Sequence, residues 1–308
     1  MLDSLNALIP VFVIIALGFA LKARDFPGNA FWAPAEKLVY WVMFPALLIN
    51  NTASADLSGL GIAAIAAVLL GALGTLGLFV LILARVIGLG GPQTSSFLQG
   101  SVRSNAYLGI AAVQAVYGTD GLALVGLVVT IIVPTVNFLS VLTLMLTNQR
   151  KPDLRALVMG VLSNPLILAC ITGFTLNASG VVLPEMVTRL LVIMGAGALP
   201  LGLLSVGAGL VFGELRGHAV LIGVTAGFKL LALPLTVAFG FHLLGVTGPI
   251  VPVALLFMSM PIAPSAYVLA RLLGGDAALL AGMITATTLL AMITVPLVDG
   301  LITMIWPQ

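Results

Sequence analysis

Pro10-Val-Phe-Val-Ile-Ile-Ala-Leu-Gly-Phe-Ala-Leu-Lys-Ala23 and Pro165-Leu-Ile-Leu-Ala-Cys-Ile-Thr-Gly-Phe-Thr-Leu-Asn-Ala178 are one apolar phrase written twice, 155 residues apart. Pro, Gly, Phe, Leu and Ala recur in place. Pro45 and Pro200 keep the same offset. Gly-Leu-Gly-Gly-Pro92 returns as Gly-Val-Thr-Gly-Pro249, Asn105-Ala-Tyr107 as Ser265-Ala-Tyr267, and Asp120 with Gly126 as Asp276 with Gly282. Correspondences in one order at nearly one spacing mark an internal duplication. It divides the chain into a first unit at 1–148, a polar linker at 149–155 (within Asn148–Arg155) and a second unit at 156–308.

Composition says where those units live. Of 308 residues, 61% are apolar and 7% charged, against roughly 45–50% and about 25% in soluble domains. Mean hydropathy is +1.24. A soluble fold of this size leaves a large surface facing water and cannot hide so much apolar area. A bilayer accepts it, about 20 residues per helix. This excludes a nucleic-acid binder, a disordered chain and a soluble two-domain enzyme. The lone Cys170 forms no intrachain disulfide, and no Lys or Arg precedes Lys22, so the first apolar run reads as a span rather than a secretory signal.

Apolar runs fall near 4–22, 34–53, 60–84, 94–117, 120–146, 154–176, 186–212, 218–243, 250–273 and 276–305. The expectation is an all-α integral membrane protein of ten transmembrane helices. Five spans per unit is an odd number, so the second unit sits inverted, an architecture of secondary transporters. Charge supports this. Lys22, Arg24, Lys37, Arg85, Arg150, Lys151, Arg155, Arg216 and Arg271 fall on one face and Arg189 alone on the other. Positive residues mark the cytoplasmic side, which puts both termini in the periplasm.

Two basic residues remain, and both lie inside spans. Arg103 is about nine residues into span four, ~14 Å from its end, and Lys229 has a similar depth in span eight. The ten acids fall near span ends or in loops, Asp299 included. A cation at the bilayer centre costs ~2.5–3.5 kcal/mol on the mildest scale. With no acid nearby, an anionic substrate is the natural partner for Arg103. Lys229 fits equally a role in holding the carbonyl ends of a broken helix.

Around Arg103, Gly100-Ser-Val-Arg-Ser-Asn-Ala-Tyr-Leu-Gly109 places polar residues and glycines in mid-span. Its repeat partner, Met260-Pro-Ile-Ala-Pro-Ser-Ala-Tyr267, carries Pro261 and Pro264, each of which removes a helical hydrogen bond. Irregular backbone at that depth is tolerated where it is buried or lines a cavity, and paired breaks in inverted halves point to a binding site. The candidate substrate-binding residues are Arg103, Ser104 and Asn105 from one unit and Pro261, Pro264 and Ser265 from the other, with Lys229. Asn50 and Asn51, ending span two, either face the pathway or cap their helix. Asn137 near Pro134, and Asn164 beside Pro165, read as satisfying backbone groups that the prolines free. His218 and His242 are too far apart along one span for a metal site.

Arg-Ser-Asn-Ala-Tyr-Leu-Gly109, Phe228-Lys-Leu-Leu-Ala-Leu-Pro234, Ala263-Pro-Ser-Ala-Tyr-Val-Leu-Ala-Arg-Leu-Leu-Gly-Gly-Asp276 and Thr294-Val-Pro296-Leu resemble the auxin efflux carrier family in its bacterial branch. The resemblance implies two inverted five-helix repeats in the bacterial inner (cytoplasmic) membrane. Spans one, two, six and seven would form a scaffold able to make a homodimer. Spans three to five and eight to ten would form a transport domain, with spans four and nine broken and crossing. It also implies transport of small organic anions, mono- or dicarboxylates, with no cofactor and with H⁺ or Na⁺ as candidate coupling ions. Span four lacks the proline that some members carry after the break, so its crossover rests on Gly100, Gly109 and Asn105. The alternatives from other classes are a cation/proton antiporter and an ion channel. An intramembrane enzyme lacks any catalytic constellation here.

Overall fold

A computed structural model describes residues 2–55, 60–147, 159, 163–215 and 217–305. The linker 149–155 lies outside these residues, as do Asp56 and Arg216. Regular structure among the described residues is helical, apart from one isolated β-bridge. Helices suit this composition because they satisfy every backbone group within the segment, which lipid cannot do.

The elements run α1 Leu2–Ala23, α2 Asn29–Leu38, a π turn Val39–Met43, α3 Phe44–Ala53, α4 Ile62–Val86, α5 Gly91–Val102 and α6 Ala106–Thr147. Then come α7 Pro165–Ala178, α8 Glu185–Ala196, α9 Ala198–Ala208, a short 3₁₀ turn Gly213–Leu215, α10 Ala219–Gly227 and a second π turn Phe228–Ala232. The chain closes with α11 Leu233–Leu243, α12 Ile250–Met258, α13 Ser265–Leu273 and α14 Ala277–Ile305. Six stretches are apolar and long enough to cross a bilayer unaided: Asn6–Ala23, Ile62–Val86, Ala106–Thr143, Glu185–Ala208, Ala219–Leu243 and Ala277–Ile302. The remaining apolar runs are shorter, or are cut by turns and breaks. Ala106–Thr143 is interrupted at Gly118 (φ 63°, ψ −153°), a conformation open essentially to glycine alone.

Both π turns sit just ahead of a proline. Pro45 and Pro234 lack an N–H, and their rings crowd the carbonyl four residues back. One extra residue in the turn relieves that crowding without breaking the helix. The second π turn is the one that carries Lys229.

Outside and inside are reversed relative to a soluble protein. Leu78, Phe79, Ile82, Leu235, Phe239 and Ile293 are exposed, whereas Arg103, Lys229 and Asp299 are buried. This is a multi-pass membrane protein. Without a hydrophobic drive between helices in lipid, close backbone approach holds them together. The two glycines of the repeated phrase supply it. A Cβ on Gly18 of α1 would lie 2.1 Å from the Leu204 carbonyl oxygen of α9, and one on Gly173 of α7 would lie 1.8 Å from Thr52 Oγ1 of α3. Gly207 returns the contact, facing the Ile15 carbonyl at 1.8 Å. Gly18→Ala therefore forces two backbones apart. The expected cost is about 1–3 kcal/mol, read as a lower melting temperature in detergent. Gly71→Ala, with nothing within 4 Å of its Cβ, does not lower the melt, since alanine is favoured over glycine inside a helix by about 0.5–1 kcal/mol.

Candidate functional site

Helix α5 stops at Val102, and α6 resumes at Ala106. Between them Arg103 is extended (φ −88°, ψ 114°). In the second half, α12 stops at Met258 and α13 resumes at Ser265. Pro261 and Pro264 fall in that gap, where they can donate no helical hydrogen bond. The two gaps meet. Ser104 and Ile262 form the isolated antiparallel bridge, and the Asn105 N–H donates to the Pro261 carbonyl at 2.8 Å. Ile262 N–H donates to Thr287 Oγ1 of α14 at 3.3 Å. Backbone groups left over at four helix ends are thus partly satisfied by one another.

Asn105 does what a proline-free break requires. Its Oδ1 accepts from the N–H groups of Tyr107 (3.1 Å) and Leu108 (3.2 Å), capping the start of α6. Its Nδ2 is buried without a partner. Gly100 and Gly109 serve packing instead: a Cβ on either would meet Thr225 at 2.7 Å or Phe257 at 2.6 Å.

Lys229 is fully buried. Its Nζ donates to Ser104 Oγ at 2.7 Å and to the Met258 carbonyl at 2.8 Å. Met258 is the last residue of α12, where carbonyls lack intrahelical donors and the helix dipole is negative. One ammonium therefore ties the end of one broken helix to the gap in the other. Of the two roles the sequence leaves open for Lys229, this geometry is the capping one.

Arg103, 7% exposed, reaches across the halves. Nη1 donates to Ser265 Oγ at 3.4 Å and Nη2 to Asn137 Oδ1, while Nε is buried without a partner. Sequence reasoning assigned Asn137 to backbone freed by Pro134; its side chain instead accepts from Arg103. The reason is long-range packing, since Asn137 lies 34 residues further on. Tyr40 of the first π turn stands within electrostatic reach of Arg103, and Tyr107 stacks on Phe44 of α3 with ring centroids 4.6 Å apart. Tyr107 recurs as Tyr267 in the repeat, but its stacking on Phe44, like the place of Tyr40, had no sequence signal.

Among the described residues no acid pairs with either buried cation, and the ion pair that forms, Arg189–Glu185, is at the surface. Arg103, Ser104, Asn105, Lys229, Pro261 and Ser265 are brought together, and Pro264 caps α13 one residue before Ser265. Among the described residues Asn50 and Asn51 make no side-chain hydrogen bond to this group; the Asn51 amide donates to Leu47 O of its own helix at 2.7 Å. Asn164 caps α7 through the N–H groups of Leu166 and Ile167. Asp299 keeps the place near a helix end that the sequence gives it, and the structure adds its burial. Six residues short of the α14 terminus, it is fully buried, because helix ends inferred from hydropathy do not reveal what packs over them.

The family model described as "Membrane transport protein" matches residues 3–298. A curated relative, "Uncharacterized transporter" of Methanothermobacter thermautotrophicus, is 28% identical over 298 residues, covering 96% of this chain and 97% of its own length.

Proposed function

The chain belongs to the membrane transport protein family, that of the auxin efflux carriers, and is a transporter rather than an enzyme; from there we propose that it is a secondary carrier of small carboxylates. The anion binds where the breaks of spans four and nine meet, and its carboxylate engages Arg103. The observation that carries this reading is a buried guanidinium with neutral partners only. A cation in a dry interior is costly unless paired, and an incoming carboxylate supplies the pair. Planar Arg offers that carboxylate a two-pronged fork. Ser265, hydrogen-bonded to the guanidinium, and the unpartnered amide nitrogen of Asn105 are the polar groups that orient it.

In this reading ten spans form two inverted repeats. Gly18 and Gly173 support it: the first span packs on the seventh as the sixth packs on the second, an exchange that a two-fold relation produces. Spans one, two, six and seven are the scaffold, and spans three to five and eight to ten are the transport domain that slides past it in alternating access. The protein resides in the bacterial inner membrane with both termini periplasmic, and two copies dimerise through the scaffold.

Counterflow tests the class. Proteoliposomes preloaded with one unlabelled mono- or dicarboxylate should take up the labelled compound transiently above equilibrium. A channel gives no such overshoot. A protein that exchanges inorganic cations and no carboxylate refutes the reading.

A further inference from the structure

The connection between spans seven and eight is held from both sides of the seam between the proposed scaffold and transport domain. On the scaffold side, Lys22 of α1 donates to the carbonyl of Ala208, the last residue of α9, at 2.7 Å. The ring of Phe212 meets that of Phe19 on α1 edge-on, with centroids 5.1 Å apart. Residues 208–212 are therefore fastened to α1. Between those two contacts the Val211 N–H donates to Thr285 Oγ1 of α14 at 2.9 Å. The same hydroxyl lies 3.1 Å from Val211 O and 3.0 Å from Ala281 O, and shares its own proton between them. Thr285 is fully buried, and α14 is the last span of the transport domain. The bond joins two bodies that alternating access requires to part.

The duplication separates what is symmetric here from what is not. In the first half the Asn177 amide donates to Ala53 O at 3.0 Å, as Lys22 does to Ala208 O in the second. Residues 22 and 177, and 53 and 208, keep the offset of 155. The fastening within the scaffold is thus duplicated. The tie to the transport domain is not. At the offset of 156 that relates Gly126 to Gly282, Thr285 falls on Val129, whose side chain has no hydroxyl to accept or donate.

In a carrier built from inverted halves, the two end states exchange the conformations of those halves. A contact that either half can make appears once in each state and leaves their energies equal. A contact that one half alone can make lowers one state only, and populations follow that difference. We propose that Thr285 and Val211 form a one-sided latch, which biases the carrier toward the conformation described here, with the connection of spans seven and eight drawn onto span ten. The inference rests on the carrier reading above, whose two moving bodies it requires. Passage to the other end state breaks the bond to Thr285, while Lys22 and Phe19 keep residues 208–212 on α1.

The test reads both states as distances between two spin labels on the full-length protein, in liposomes without substrate. Arg24→Cys after α1 and Val86→Cys on α4 put one label on each body, both at exposed positions. Cys170→Ser removes the native thiol. This labelled parent should show one dominant distance. Thr285→Val, which installs the side chain of the other half, should raise the ratio of the second population to the first by roughly 2- to 10-fold, the equivalent of one net hydrogen bond. Thr285→Ser keeps the hydroxyl and should match the parent. An unchanged distribution in the Val variant, or a Ser variant shifted as far as Val, overturns the proposal. If the Val variant does not fold, Phe212→Ala decides. It loosens the connection on its α1 side and should shift the populations the same way, and no shift overturns the latch. Counterflow in the same liposomes keeps the two readings apart. Carboxylate exchange with an unshifted distribution overturns the latch and leaves the carrier; a shifted distribution without exchange supports the latch while the carboxylate reading fails.

Discussion

Arg103→Ala lowers affinity for the transported anion by about 10- to 150-fold, the equivalent of losing a charge-assisted hydrogen bond worth about 1.5–3 kcal/mol. The variant stays folded. The partners of Arg103, Asn137 and Ser265, are neutral and bring no buried counter-charge that removal would strand. Arg103→Lys keeps the charge but loses the planar fork and falls between wild type and Ala. Thermal shift reads both effects: at 100 times Kd a ligand stabilises by about 2.7 kcal/mol, and in the Ala variant that gain falls to about 0.3–1.4 kcal/mol at the same concentration. An Ala variant that binds as tightly as wild type makes Arg103 a structural residue.

Lys229→Met gives the opposite pattern, a loss of stability ahead of any loss of affinity. The substitution leaves the Met258 carbonyl and the Ser104 hydroxyl without their donor in a buried place. Each unsatisfied group costs about 1–3 kcal/mol. Release of the buried charge returns part of this, so the expected net loss is about 2–4 kcal/mol, several degrees in melting temperature. Transport fails with it, because the two broken helices are no longer tied together. Unchanged melting with weakened anion binding would instead make Lys229 a direct ligand of the substrate.

The parts legible in the sequence are those with local causes. Pro261 and Pro264 announce the second break because proline cannot donate a helical bond, and α12 does stop at Met258. Gly18 and Gly173 stood out by recurrence and turn out to sit at close helix contacts. Arg103 and Lys229 stood out because ionised groups are rare in apolar runs. What depends on the packing of distant helices was not legible. Asn137 reaches Arg103 from another helix, Tyr107 stacks on Phe44, and Asp299 is covered by neighbours that its distance from the helix end does not disclose. The break in span four has no proline signal, and Asn105 shows its capping role only once the chain is folded. Continuous apolar runs also conceal π turns, which a hydropathy window reads as ordinary helix.

The most direct measurement is a structure of the protein with the carboxylate that stabilises it most in a thermal-shift screen. The account predicts that carboxylate within hydrogen-bond distance of the Arg103 guanidinium, at the meeting point of the two breaks and beside Ser265, with Lys229 still capping Met258. Ligand density elsewhere, with the guanidinium still turned to Asn137 and Ser265 alone, would contradict it.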